Sequence, residues 1–403
     1  MKRALVLGGT EDHIYLLEIL KREGFNTVLV DYYANPPARD YSDIHVREST
    51  LDFNRVLCLA TKFEVDLVIT ACIDQALLTM AYVNDKLHLP CHLSLEQALQ
   101  LTNKASMKSI FKENGIPTSR FIILNDINAN VEIDLKFPVV IKPVDANGSK
   151  GISKVISKQD IGDAIANAFS FSRSKSVIIE EYVDGDEFSV DLVIKESKPE
   201  IVLVTKNIKA IKNNDKFTIV QNVYPAVSDA KILDRIKEIA KKIAVCYNLR
   251  NSPLLIQMIF DGQNLSVVEF SARIGGGSKH YFIRKMTGFD ILNWYVGLII
   301  RKANDINFRK NYSIGSVNYI YSKNGILGGF VGFEELKKKE IIDYFLLYKT
   351  VGMEIHNHCS SNDRVAGYMI VDNDINMYNS RLEEAKRSIK VLDEFGENII
   401  LHL

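Results

Sequence analysis

The chain has 403 residues, with 50 basic and 50 acidic side chains and so no formal net charge. Hydrophobic residues make up 47% and charged residues 25%, an ordinary balance for a globular protein of two or three domains and not that of a nucleic-acid binder, which carries a basic excess. Five scattered cysteines with no CxxC pair argue against a zinc site or a disulfide framework and suit a reducing, cytoplasmic setting.

In chain order, Met1-Lys2-Arg3 leads into a short apolar run, residues 4–7, that ends at Gly8-Gly9. This reads as a strand and is too short for a signal-peptide core. Helical periodicity over 11–23 stops at Gly24, residues 27–30 form a second strand ending at Asp31, 51–62 a helix and 66–70 a third strand. Strands separated by helices predict a parallel sheet. Gly8-Gly9-Thr10 after the first strand and an acid closing the second give a Rossmann-like outline, but the GxGxxG spacing is absent, so a dinucleotide site is not expected.

A helix is predicted over 95–114, closing at Gly115 before Pro117. Beyond it, β-rich runs at 139–142, 177–180 and 188–193 flank a Gly/Ser/Asn loop and a helix at 160–169, which suggests an α+β module. A long amphipathic helix follows at 229–247, with Ser228 as its N-cap. Strands 254–260 and 265–270 are joined through Asp261-Gly262, a hairpin signal. Further strands at 316–321 and 365–371 precede a final helix at 380–395. The apolar stretch 291–300 is about half a membrane span and is interrupted by Asn293, so no membrane association is expected.

Four segments carry candidate chemistry. In Phe137-Pro-Val-Val-Ile-Lys-Pro-Val-Asp-Ala-Asn-Gly-Ser-Lys-Gly151 a strand delivers Lys142 and a glycine loop follows. Gly148 and Gly151 let backbone N–H groups close around an anion, and Ser149 and Lys150 add donors, as a triphosphate requires. The order is not that of a Walker loop, because the lysine precedes the glycines. In Ile178-Ile-Glu-Glu-Tyr-Val-Asp-Gly-Asp-Glu-Phe-Ser-Val-Asp191 a strand ends at Glu180-Glu181 and turns at Asp184-Gly185. Such a hinge offers backbone groups to an adenine edge, and Glu187 beyond it can take ribose hydroxyls. The hairpin from Gln257 to Arg273 places Gln257 near Glu269, with Glu269 and Ser271 on one strand face. Those oxygens suit magnesium, and Arg273 can grip a phosphate or carboxylate with two bonds. Finally, Gly275-Gly-Gly-Ser-Lys279 opens a helical stretch and allows close backbone approach to an anion.

The ordered set of Lys142, the glycine loop, Glu180-Glu-Tyr-Val183 with Glu187, and Glu269-Phe-Ser-Ala-Arg273 resembles the ATP-grasp superfamily, nearest to its carbamoyl-phosphate-synthetase-like, amino-acid-ligase and phosphoribosylglycinamide-synthetase-like members. The resemblance implies an α/β, ATP-grasp fold: a Rossmann-like domain over 1–103, an ATP-grasp domain over 104–300 with a lid at about 120–187, and a mixed C-terminal α+β domain over 301–403. It implies Lys104 and Lys142 on nucleotide phosphates, with Gly148, Ser149 and Gly151. Glu180, Glu181, Tyr182 and Val183 fall at the adenine, and Glu187 at the ribose. Gln257, Glu269 and Ser271 become metal ligands, for magnesium or alternatively manganese. The usual asparagine two residues after the metal-binding glutamate is Ser271 here, a shorter ligand that weakens the case for a second ion. Lys142, Ser149 and Arg273 are the expected catalytic groups. The implied chemistry is ATP-dependent formation of an acyl phosphate and its capture by an amine. The substrates are a small carboxylate, such as an amino acid, and an amine, and family habit implies a homodimer.

Competing readings are a purine-pathway ligase of the same superfamily and a nucleotide-binding protein without catalysis. The first lacks a decisive phosphate-pocket motif, and the second requires loss of residues that are present. Among single features, Lys206 reads equally as a site residue or a solvent-facing strand lysine, and His13 and the His356-Asn-His358-Cys359 run read first as structural. Trp294 reads as core and the charges at 337–340 as a solvated helix face.

Overall fold

The structure, a computed structural model, describes residues 2–127, 133–146, 150–210, 217–302, 305–357 and 360–402. The chain folds into two compact units, one of Met1–Leu95, Val202–Ala226 and Arg273–Leu403, the other of Glu96–Ile201 and Val227–Ala272.

The first unit begins with the expected parallel sheet. Its strands lie in the order Ile44–Arg47, Phe25–Asp31, Lys2–Leu7, Leu67–Ile69, with Val6 opposite both Leu29 and Ile69. Ala4 to Leu7 are fully buried, as a central parallel strand covered on both faces should be. Helices Asp12–Arg22 and Phe53–Lys62 connect strands of this sheet, and helix Asp74–Leu87 follows its last strand in sequence. Later in this unit an antiparallel sheet centres on Ile314–Ser322, which pairs with Ile219–Tyr224 on one side and Arg364–Asp372 on the other. Val365, Tyr368 and Ile370 pack there against Tyr378 and Ala385 of helix Ile375–Ser388.

That helix starts five residues and ends seven residues earlier than the pattern predicts, between one and two turns. Asp374 caps it by accepting the N–H groups of Asn376 (2.7 Å) and Met377 (3.0 Å). After Ser388 the buried residues Ile389 and Val391 alternate with exposed Lys390, a strand period that starts Lys390–Asp393.

In the second unit, strands Phe121–Leu124, Val177–Glu181, Val139–Pro143 and Ser153–Val155 form an antiparallel sheet in that order. Helix Ile161–Phe171 covers it, with Ala164, Ala168 and Phe169 packed against Val139, Ile141, Val177 and Ile179. A second antiparallel set runs Asp186–Lys195, Ser252–Phe260, Leu265–Ser271. Helix Ala230–Cys246 starts at Asp229, whose carboxylate accepts the Lys231 N–H at 2.9 Å, and not at Ser228.

The helix expected over 95–114 is two helices, Leu95–Leu101 and Lys104–Glu113. Asn103 adopts extended backbone (φ −114°, ψ 112°) and its side chain accepts the Ser106 N–H at 3.0 Å, a helix N-cap. The break makes Lys104 the first residue of a new helix. No helix among the described residues is long and apolar enough to cross a membrane.

Candidate active site

The second unit gathers three lysines and two glutamates. Lys142 lies on the central strand Val139–Pro143, and Glu180 lies on its neighbour opposite Val140, so the two are diagonal partners on one sheet face. Lys104 and Lys108 are one turn apart on helix Lys104–Glu113 and share a face. Glu180 receives Lys108 Nζ at 2.8 Å on Oε2 and sits 2.6 Å from Lys142 Nζ through Oε1. Ser119 Oγ donates to Glu180 Oε2 at 2.7 Å. Lys104 Nζ is 3.4 Å from Glu269 Oε2 and donates to the Ala146 carbonyl at 2.8 Å.

Lys108, Lys142 and Glu180 are 1%, 5% and 6% exposed, so their charges must balance inside the protein. Burial alone would push the Glu180 carboxyl up. The two ammonium groups outweigh it and hold Glu180 well below the usual carboxylate range. For Lys142, burial is outweighed by Glu180, Glu269 and Glu187, and the ammonium is held above its ordinary value. For Lys108 burial prevails over Glu180, with Lys142 adding to it, and the pKa falls. Lys142 is therefore a fixed positive charge, suited to a phosphoryl oxygen.

Glu269 stands directly opposite Gln257 across a strand pair, and Gln257 stands opposite Ser189 on the next strand. Period-two alternation puts Glu187, Ser189 and Asp191 on the face that carries Gln257, Glu269 and Ser271. The chain irregularity between Gln257 and Met258 lies at this point. One carboxylate, one amide and one hydroxyl fit a hard cation that completes its shell with water and phosphate oxygens. Among the described residues no three His, Cys, Asp or Glu side chains converge on a metal position.

The hinge after Val177–Glu181 is anchored by Tyr182 N–H to the Pro138 carbonyl at 2.9 Å, and by Glu181, which accepts the Lys136 N–H at 2.9 Å. Lys154 Nζ lies 3.4 Å over the Tyr182 ring. The turn needs Gly185, because at φ +153° a Cβ there would stand 2.3 Å from the Phe260 carbonyl oxygen. Gly148 and Ser149 lie outside the described residues, as do His358 and Cys359.

Arg273 and Lys206 belong to the first unit. Arg273 Nε donates to Asp74 Oδ1 at 2.6 Å, Nη2 donates to Asp74 Oδ2, and Nη1 reaches the Ile274 carbonyl at 2.8 Å. Lys206 lies half-buried opposite Val223. The glycine run ends at Ser278, whose N–H donates to Asp12 Oδ1 and whose hydroxyl donates to Glu11 Oε2, both at 2.8 Å. His280 Nε2 is 3.4 Å from Asp12 Oδ1. Burial, with Asp12 beside it, pushes Glu11 up to about 8, while burial pushes His13 down to about 4. His13 is fully buried.

Three residues here were not singled out in the sequence. Lys108 carries a signal, its four-residue spacing from Lys104, and Asp191 another, its period-two spacing from Glu187. Arg364, a buried arginine on strand Arg364–Asp372, has no local motif at all.

Comparison with known proteins gives three findings. The ATP-grasp domain family matches residues 135–280. The L-arginine-specific L-amino acid ligase of Bacillus subtilis is 27% identical over 292 residues, 69% of each chain, and a D-alanine–D-alanine ligase of Thermosipho africanus is 26% identical over 46% of this chain and 53% of its own. The crystal structure of an L-amino acid ligase from Bacillus licheniformis superposes with a TM-score of 0.80 at 18% identity, covering 98% of this chain and 99% of that one.

Proposed function

The chain carries an ATP-grasp domain, and from that premise we propose that it is an ATP- and magnesium-dependent ligase that joins a small carboxylate, an amino acid in the first instance, to an amine. The observation that carries this reading is the convergence of Lys104 and Lys142 with Glu180 and Glu269 in one unit, fixed cations beside a carboxylate that faces Gln257. Two charge types side by side are what a metal–triphosphate complex requires.

The chemistry divides into two displacements. A carboxylate oxygen of the first substrate attacks the γ-phosphorus of ATP, the bond to the bridging oxygen breaks, and ADP leaves. The nitrogen of the second substrate then attacks the acyl phosphate carbon, loses a proton, and expels phosphate. Lys142 neutralises the charge on the transferring phosphoryl group, and Lys104 holds a neighbouring phosphate. The Tyr182–Val183 backbone takes the adenine edge, with Glu181 steadying the hinge, and Glu187 takes the ribose. Gly148, Ser149 and Gly151 close over the phosphates. Gln257, Glu269 and Ser271 would hold magnesium, which supplies charge neutralisation at the phosphate oxygens. Arg273, kept in orientation by Asp74, aligns the reacting carboxylate.

The 27% identity to an L-amino acid ligase over 69% of each chain supports amino-acid substrates. The experiment is a screen of amino-acid pairs and small carboxylates for ADP release. Release that depends on a particular carboxylate–amine pair supports the ligase reading. Nucleotide binding with no ADP release across the panel contradicts it.

A further inference from the structure

Two helices of the first unit end in the same way. After Asp74–Leu87 the chain turns at His88 (φ 55°, ψ 37°), and Leu89 N–H donates back to the Asn84 carbonyl at 2.9 Å. After Ile291–Ile299 it turns at Arg301 (φ 57°), and Lys302 N–H donates back to the Gly297 carbonyl at 2.8 Å. Left-handed backbone at such a helix end is a glycine's conformation, and it is disfavoured for an L side chain. Here the two positions carry a histidine and an arginine, and both residues line one cavity of about 680 Å³.

The cavity is built wholly by the first unit, and none of its residues belongs to the site described above. Helix Asp74–Leu87 follows strand Leu67–Ile69 and returns along it, with Asn84 Nδ2 donating to the Val68 carbonyl at 2.9 Å. The cavity, at the end of that helix, lies towards the sheet's amino edge. Gly8-Gly9 turns at the opposite, carboxyl edge, where such sheets usually bind ligands. The floor of the cavity is apolar, with Ala81, Leu93 and Ile299 buried. Its mouth is charged, with Asp85 and Arg301 both exposed. Among the described residues neither forms an ion pair, with the other or with a third group. This combination selects a ligand. A simple anion would meet the Asp85 carboxylate and the partial negative charge of two helix C-termini. A simple cation would meet Arg301. A molecule with both charges satisfies both, and the apolar floor calls for a hydrocarbon side chain.

We propose that this cavity is an accessory site for a free apolar α-amino acid, with its ammonium on Asp85, its carboxylate on Arg301 and its side chain against Ala81, Leu93 and Ile299. The site goes beyond the ligase reading and does not depend on it. A binding role also accounts for the side chain that the backbone at Arg301 disfavours: glycine would relax the turn and bind nothing. Occupancy is reversible and involves no covalent step.

The test is photo-crosslinking of the full chain with a leucine that carries a diazirine in its side chain, read by peptide mass spectrometry. Label is expected on residues 81–95 or 299–301, the segments that enclose the cavity. The concentration dependence of that label gives the affinity, so amino acid held elsewhere as a substrate does not enter it. L-leucine should compete for the label at about tenfold or more lower concentration than leucinamide, 4-methylpentanoate or glycine, which lack in turn the carboxylate, the ammonium and the side chain. Arg301→Gly and Asp85→Asn should each weaken labelling by about tenfold or more. Arg301→Gly should also melt at or above the wild-type temperature, because glycine suits φ 57°, so its loss of label is not a loss of folding. Absence of label from these segments overturns the proposal, as does label unchanged in both variants. Competition by leucinamide or 4-methylpentanoate as effective as that by L-leucine overturns it too, since the two charges then play no part.

Discussion

Replacing Glu180 by glutamine removes the charge that holds two buried lysines. Lys108 is the more exposed to the consequence in energy, because its other partners are all neutral: the Thr118 and Ser119 hydroxyls and the Val267 carbonyl. Breaking one side of a buried ion pair typically costs about 3–5 kcal/mol. The second unit is a body of about 150 residues, for which each kcal/mol moves the melting temperature by ~2–4 °C, so a fall of roughly 6–20 °C is expected. Differential scanning fluorimetry followed by calorimetry measures it. The cost comes from the stranded cation, so Glu180→Gln combined with Lys108→Met should recover much of the loss. The pH dependence has a definite sign. The folded Glu180 carboxyl lies below its ordinary value of 4.5, so its stabilisation is complete above that pH and is lost as pH falls below it. Glu180→Gln should flatten that acid limb. A melting point within about 2 °C of wild type, under the ~1 kcal/mol of a neutral hydrogen bond, would refute the reasoning. So would a double variant no more stable than the single one.

The remaining expectations concern other parts of the molecule. Glu269→Ala should reduce ADP release at least about 100-fold with the fold intact, and steady-state kinetics with a magnesium titration check it; undiminished turnover removes Glu269 from the metal set. Glu11→Gln should be more stable than wild type at pH 8.5 and near equal to it at pH 5. The native Glu11, at about 8, keeps a proton the unfolded chain has lost between pH 4.5 and 8, so wild-type stability falls as pH rises through that window. Melting curves at both pH values decide this, and parallel behaviour of the two proteins contradicts it. Gly277→Ala should lose about 1–3 kcal/mol, since its φ of +70° and contact with Arg364 both oppose a side chain. An unchanged urea midpoint counts against that contact.

Local patterns carried the parallel strands, the Asp261-Gly262 hairpin and the lysine-bearing strand, because each is written in consecutive residues. Lys104 was legible only through resemblance, and its exact placement depends on the Asn103 cap that divides the predicted helix. Helix Asp74–Leu87 escaped notice because it is buried over much of its girth, from Ala76 and Leu77 to Thr79, Met80, Val83 and Asn84, and shows no polar–apolar stripe. Glu180 reads in sequence as the acid of a hinge. Its engagement with Lys108 and Lys142 follows from the pairing of Val177–Glu181 with Val139–Pro143 and from the helix beside them, which no local window contains. Arg364 is the extreme case. An arginine opening a strand looks like a surface residue, and its burial against Tyr319 and Tyr321 is a property of the folded surroundings alone.

The central claim is that a substrate carboxylate is phosphorylated by ATP. A turnover with an amino acid carrying ¹⁸O in its carboxylate tests this most directly, with the released phosphate analysed by mass spectrometry. The account predicts one ¹⁸O atom in each phosphate formed, with ADP and an amide-linked product in equal amounts. Phosphate without the label, or AMP and pyrophosphate in place of ADP and phosphate, would contradict it.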